Sequence, residues 1–184
     1  MQRYVAFLRG INVGGKNIIR MDALGAFFSS LGFKNVKTFI QSGNVFFDSA
    51  ANGSDTLTRK IETGLMKEYG SNIKVMLRTV EEMENMVKQN PFKKIKPDDK
   101  IKLYVCFLDK EPKINPKLPL ISEKEALEVF KLEKKNAFII SGQLKNGRYG
   151  FPNNFIEKEL GVFSTARNWN TVCKMMDPIS KSSY

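Results

Sequence analysis

The residues best suited to chemistry lie just past an apolar run near the start of the chain: Arg9-Gly10-Ile11-Asn12-Val13-Gly14-Gly15-Lys16-Asn17. Glycines let backbone N–H groups converge on an anion, and flanking cations add charge. Arg9, Gly10, Asn12, Gly14, Gly15 and Lys16 are therefore expected to contact a phosphorylated small molecule, another anion or nucleic acid. From Gly10 to Lys16 the spacing follows the first part of a P-loop. Asn17 then stands where Ser or Thr would hold Mg²⁺, and no helix opens at the lysine. Leu103 to Asp109 has the form of a Walker B strand, but apolar strands ending in Asp are common, and P-loop chemistry is set aside. A plainer reading makes the loop a tight strand-to-helix connection, with Ile11 and Val13 plugged into the core. That reading gives no role to Arg9, Asn12, Lys16 and Asn17.

Two other segments carry polar groups of interest. Arg167-Asn168-Trp169 is expected to open the last helix, where Arg167 would act as a bidentate anion ligand with Asn168 beside it. Trp169, the only tryptophan, reads first as a core anchor and second as a contact. Gln41-Ser42-Gly43-Asn44 reads as a hairpin turn, with Gln41, Ser42 and Asn44 as secondary ligand candidates. This turn is expected at the end of its sheet opposite the exit of the first strand, away from Arg9.

Composition narrows the chemistry further. The chain has no histidine, so Ser-His-Asp triads, Cys-His pairs and histidine metal sites are excluded. The two cysteines, Cys106 and Cys173, are far apart in apolar surroundings and read as buried free thiols, with no metal-binding spacing. No cofactor is implied. A net charge of +11 favours polyanions through counterion release, although lysines from Lys88 to Lys117 read equally well as a solvated face with few interleaved aromatics. With 42% hydrophobic and 27% charged residues the chain is of ordinary globular composition. No apolar run reaches the roughly 20 residues of a membrane span, and residues 1–5 lack the pattern of a signal peptide. A soluble cytoplasmic protein is expected.

The elements that must position these residues follow from periodicity. Val5 to Leu8 is an apolar strand. Leu24, Phe27, Phe28 and Leu31 recur at helical spacing, with Gly32 placed for a left-handed cap. Val36 to Ile40 and Val45 to Phe47 form a hairpin. Asp55 would cap a helix bearing Leu57, Ile61 and Leu65, and Ile73 to Leu77 is a further strand. The order β-α-β-β-α-β is that of a ferredoxin-like domain. Thr79 and Glu82 make a capping box for the next helix, which Asn90-Pro91 ends. Leu103 to Leu108 reads as a strand and Ala126 to Leu132 as a short helix turning into one. Phe138 to Ile140 would pair with that strand, ahead of helices near Asn154 to Leu160 and Arg167 to Met176. The expected fold is thus α+β, with two ferredoxin-like (α/β plait) lobes: residues 1–78, and a more irregular lobe at 79–184. No convincing internal sequence repeat is seen.

Tyr4 to Lys16, Thr38-Phe39-Ile40-Gln41-Ser42-Gly43-Asn44-Val45, and Thr165-Ala166-Arg167-Asn168-Trp169-Asn170-Thr171-Val172 resemble motifs of a bacterial family, the domain-of-unknown-function family numbered sixteen-ninety-seven. The resemblance spans both ends of the chain. It implies two linked α/β-plait lobes and no activity, since the family supplies no established catalytic residues. The glycine-rich turn before a helix in its middle region is only loosely matched, at Gly147 to Asn154.

Three functional classes follow. One is a binding protein for an anionic ligand or nucleic acid, including RNA recognition by Tyr4, Phe7, Phe46 and Phe47 on the first sheet. That version is weakened by the missing Lys/Arg-Gly-aromatic start on the third strand, so these rings are expected in the core. The second is a histidine-free enzyme with a cleft between the lobes. The third is a protein-interaction scaffold.

Overall fold

The computed structural model describes residues 1–15, 17–50 and 53–177. It divides into two compact units, Met1–Met83 and Glu84–Tyr184, a few residues beyond the division expected after residue 78.

The first unit comprises β1 (Gln2–Leu8), α1 (Met21–Ser30), β2 (Lys34–Phe39), β3 (Asn44–Ser49), α2 (Ser54–Tyr69) and β4 (Val75–Thr79). Its sheet has the order β2-β3-β1-β4, antiparallel throughout. Side chains alternate across a strand, so Tyr4, Ala6, Leu8, Val45, Phe47, Val75 and Leu77 share one face. Against it pack Leu24, Phe27 and Phe28 of α1 and Leu57, Ile61 and Leu65 of α2. Each such large side chain contributes about 1.5–3 kcal/mol when fully buried. The helices press close. At Gly64 a Cβ would meet Phe27 Cζ at 2.9 Å. The other face, with Val5, Phe7, Phe46, Met76 and Arg78, is buried as well. Tyr4, Phe7, Phe46 and Phe47 are therefore core residues, and none is a platform on which an RNA base can stack.

Two local details refine the first unit. Gly53 rather than Asp55 stands at the N-cap of α2, which leaves Asp55 in the first turn, where its charge favours the positive end of the helix dipole. The capping box forms as read: Thr79 Oγ1 accepts from Glu82 N at 3.1 Å, and Glu82 Oε2 accepts from Thr79 N at 2.7 Å. It opens α3 (Val80–Gln89), within which the two units meet in sequence.

The second unit continues with β5 (Ile101–Leu108), β6 (Leu120–Ser122), β7 (Leu127–Glu133), β8 (Asn136–Gly142), α4 (Asn153–Leu160), β9 (Ser164–Asn168) and α5 (Trp169–Met176). Its sheet has the order β6-β7-β8-β5-β9. Two expectations are corrected. Ala126 to Leu132 contains no helix: the Ser122–Glu125 pair forms, but Ala126 turns to φ 51 and β7 starts at once. Pairing with β8 puts Leu127 and Val129 into the core and overrides the capping signal. Arg167 and Asn168 likewise belong to a strand, because Val105 pairs with Arg167 and Tyr104 with Asn168 along β5. The last helix starts at Trp169, with Asn168 Oδ1 accepting from Asn170 N at 3.0 Å as its cap.

The two units repeat one plan. Tyr4-Val5-Ala6-Phe7-Leu8 of β1 corresponds to Tyr104-Val105-Cys106-Phe107-Leu108 of β5. The registers agree position by position: Phe7 pairs with Asn44 and Phe107 with Asn136, while Val5 pairs with Arg78 and Val105 with Arg167. Sequence inspection misses this repeat because α1 has no counterpart after β5. Only the loop 109–119 and the short β6 stand there, so the resemblance is confined to paired strands.

Candidate functional site

The loop after β1 is organised by Asn12. Its Nδ2 donates to the carbonyls of Ile19 and Gln41, both at 3.0 Å, and its Oδ1 accepts from Ile19 N at 2.8 Å. Both amide hydrogens are used on backbone, so this side chain holds the loop. Asn17 closes the loop from the other side, its carbonyl accepting from Asn12 N at 3.2 Å and its side chain donating to Gly10 O at 3.4 Å.

Asn12 adopts φ 56, a left-handed turn that separates its neighbours. Ile11 is buried as expected, but Val13 is 65% exposed, so the expectation that it plugs the core is corrected. Gly14 and Gly15 follow at φ 60 and 74 with open space around them, and Lys16 lies outside the described residues. Arg9 is half-buried, its N–H bonded to Lys74 O at 2.9 Å.

The hairpin tip lies beside this loop, not at the far end of the sheet. Because β1 and β3 run antiparallel, the end of β1 meets the start of β3: Phe7 pairs with Asn44, and Leu8 N donates to Gly43 O at 2.9 Å. Gly43 is buried here at φ 72, where a Cβ would meet Ile11 side-chain carbons at 2.7 Å. Asn44 is fully buried, with Nδ2 donating to Phe39 O at 3.1 Å and to Ser42 Oγ at 2.9 Å, so Ser42 and Asn44 brace the turn. Gln41 has an exposed position at the tip.

Loop, hairpin tip and the start of α1 together enclose an open pocket of about 560 Å³. Asn12, Gly15, Ile18, Ile19 and Gln41 line it, together with Arg20, Met21 and Asp22 at the helix start. Arg20 is the N-cap residue of α1 and provides no side-chain cap. Its guanidinium instead makes two bonds to Asp22, Nε to Oδ1 at 3.1 Å and Nη2 to Oδ2 at 2.8 Å, with both groups well exposed. The hydrogen bond to Arg20 holds the Asp22 carboxyl below its ordinary range, and the same bond raises Arg20. Sequence reasoning missed Ile18, Arg20 and Asp22. The available signal was an Arg-x-Asp at a helix start next to a glycine loop.

Arg167, Asn168 and Trp169 occupy the second unit. Arg167 is buried, its Nη1 donating to Thr165 Oγ1 and Ala166 O, both at 2.8 Å. Burial lowers its pKa to about 10, and Arg78, at the matching register, is lowered to about 10 by the same cause. Both remain cationic near neutral pH. Trp169 is buried with its ring centroid 5.1 Å from that of Phe92. Of the candidates, then, Gly15, Asn12 and Gln41 share one pocket, while Arg167 and Trp169 are interior residues and Asn168 is a helix cap.

Residues 1–138 match the family described as "Protein of unknown function (DUF1697)". The chain belongs to this family. A conserved bacterial protein, SP0830 from Streptococcus pneumoniae, has the same fold: the TM-score is 0.65 at 22% identity, covering 95% of this chain and 97% of that one. At that identity the likeness concerns architecture alone. Comparison with curated proteins finds no match. Among the described residues no helix is long and apolar enough to cross a membrane.

Proposed function

We propose that this protein binds a phosphorylated or otherwise anionic small molecule, in the cytoplasm, in the pocket over the start of α1. The observation that carries the reading is the position of that pocket, lined by Gly15, Arg20, Met21 and Asp22 where α1 begins with no side-chain cap from Arg20, Asp22 Oδ1 instead accepting from Ala23 N at 2.9 Å. Helix N-termini present unpaired N–H groups and the positive end of the dipole, which favour anions. Arg20 adds a forked cation suited to two anion oxygens. Asp22 opposes binding while it holds Arg20, so an entering anion competes with it.

The test is calorimetric titration of the protein with inorganic phosphate and pyrophosphate at low ionic strength, where exposed charges are least screened. Arg20→Gln should weaken binding about 10-fold or more, since hydrogen bonds to charged groups are worth about 1.5–3 kcal/mol. Asp22→Asn, which releases the guanidinium, should tighten it. Lys67→Gln on α2 serves as a charge control. Absence of saturable binding, or an Arg20→Gln effect no larger than the control, would overturn the reading.

A further inference from the structure

We infer that the second unit carries a binding surface for single-stranded nucleic acid, built on Phe151 and Tyr149, with Tyr104 against Phe151, and on Lys102, Lys145 and Arg148. It does not depend on the pocket over α1.

Past Gly142 the chain doubles back through a tight turn. Leu144 N donates to Arg148 O at 2.7 Å, Gly147 takes φ 77, and Gln143 bridges to Tyr149. The returning segment is fixed at several points. Tyr149 Oη donates to Asp99 O at 2.6 Å, and Ser141 Oγ donates to Gly150 O at 2.8 Å. Gly150 lies so close to its neighbour that a Cβ there would stand 2.0 Å from Glu125 O.

The rings fall over alternate residues of β5. Lys102 Nζ sits 4.1 Å from the centroid of Tyr149, and Tyr104 meets Phe151 edge-on at 6.1 Å. Phe151 is nevertheless 58% exposed. A lone exposed phenylalanine needs no explanation. Here it stands against Tyr104, which packs on the core of this unit, and two residues from the half-buried Tyr149 on a pinned backbone; Lys145 and Arg148 of the same segment and Lys102 of β5 are exposed. Residues 143–151 contain no acidic side chain. Asp98 and Asp99 precede β5, next to Lys100.

Aromatic faces with surrounding cations are what an unpaired strand requires, because bases stack on rings while phosphates seek Lys and Arg. Bases already stacked in a duplex are not available to such rings, so the surface selects single strands. The net charge of +11 is complementary to this partner. The lysine-rich stretch from Lys88 to Lys117 is poor in aromatics in sequence, and the hairpin at 143–151 supplies them in space.

Fluorescence anisotropy with labelled oligo(U) and oligo(dT) tests this, with a duplex of equal length as competitor. Both single strands should bind, with affinity falling as salt rises; tighter binding of oligo(U) would assign a contact to the 2′-hydroxyl. Phe151→Ala should weaken binding about 10-fold, Phe151→Trp should retain it, and Arg148→Gln should reduce the salt slope by about one. Melting temperatures of the variants should match that of the parent, because Phe151 and Arg148 are exposed. Equal affinity for duplex, or an unchanged affinity in Phe151→Ala, would overturn the proposal. So would the absence of binding at low salt, which would leave the patch to a protein partner.

Discussion

Asn12 Nδ2 donates to the carbonyl of Gln41 at 3.0 Å and so ties the loop after β1 to the tip of the β2–β3 hairpin. With its bonds to both backbone groups of Ile19, this one side chain fixes three segments around the pocket.

Asn12→Ala should therefore lower stability by about 1–3 kcal/mol, through carbonyls left without partners and through strain at φ 56, which alanine adopts less readily than asparagine. Urea unfolding measures it. An unaltered midpoint would show that the loop is held elsewhere.

Gly43 and Ile11 define a close contact beneath the same pocket. Gly43→Ala should cost on the order of 1–3 kcal/mol, combining positive φ with overlap on the Ile11 side chain at 2.7 Å. In a double-mutant cycle, Ile11→Ala should recover the steric part, so the two substitutions together should cost less than their sum. Additive costs would mean that the φ angle alone accounts for the requirement.

The buried thiols give a pH dependence of definite sign. Burial, with a smaller contribution from Glu157, raises the Cys106 pKa well above its ordinary value of 9.0. A group whose pKa is raised on folding contributes stability fully present below the unfolded pKa and lost as pH rises above it. Stability should thus fall as pH increases from about 9 to about 10, and Cys106→Ala should flatten the fall. Partly buried Cys173 shifts in the same direction and should leave a residual slope. Above about 10, Arg78 and Arg167 act oppositely, because their lowered values make the unfolded chain the better proton binder. Native Cys106 should also resist disulfide reagents at pH 8 until the protein is unfolded.

The strands and helices of the first unit were legible because each is a local pattern. Leu24, Phe27 and Phe28 recur at helical spacing, Val45 and Phe47 alternate, and Gly32 and Gly43 stand where the chain must take positive φ. Thr79 and Glu82 are three residues apart, so their capping box needs nothing from the rest of the chain.

Decisions that depend on strand pairing were not legible in the same way. Antiparallel pairing of β1 with β3 brings Gln41 to Asn12, residues separated by the whole of α1 and β2. Pairing of β9 with β5 draws Arg167 into the interior, where its Nη1 donates to Thr165 and Ala166. The sequence by itself determined the elements of the first unit, the two-unit α+β plan, the family and the absence of histidine chemistry. Tertiary structure alone decided which polar groups face solvent and which are spent on backbone. Propensity and periodicity act over a few residues, whereas exposure is set by partners far along the chain.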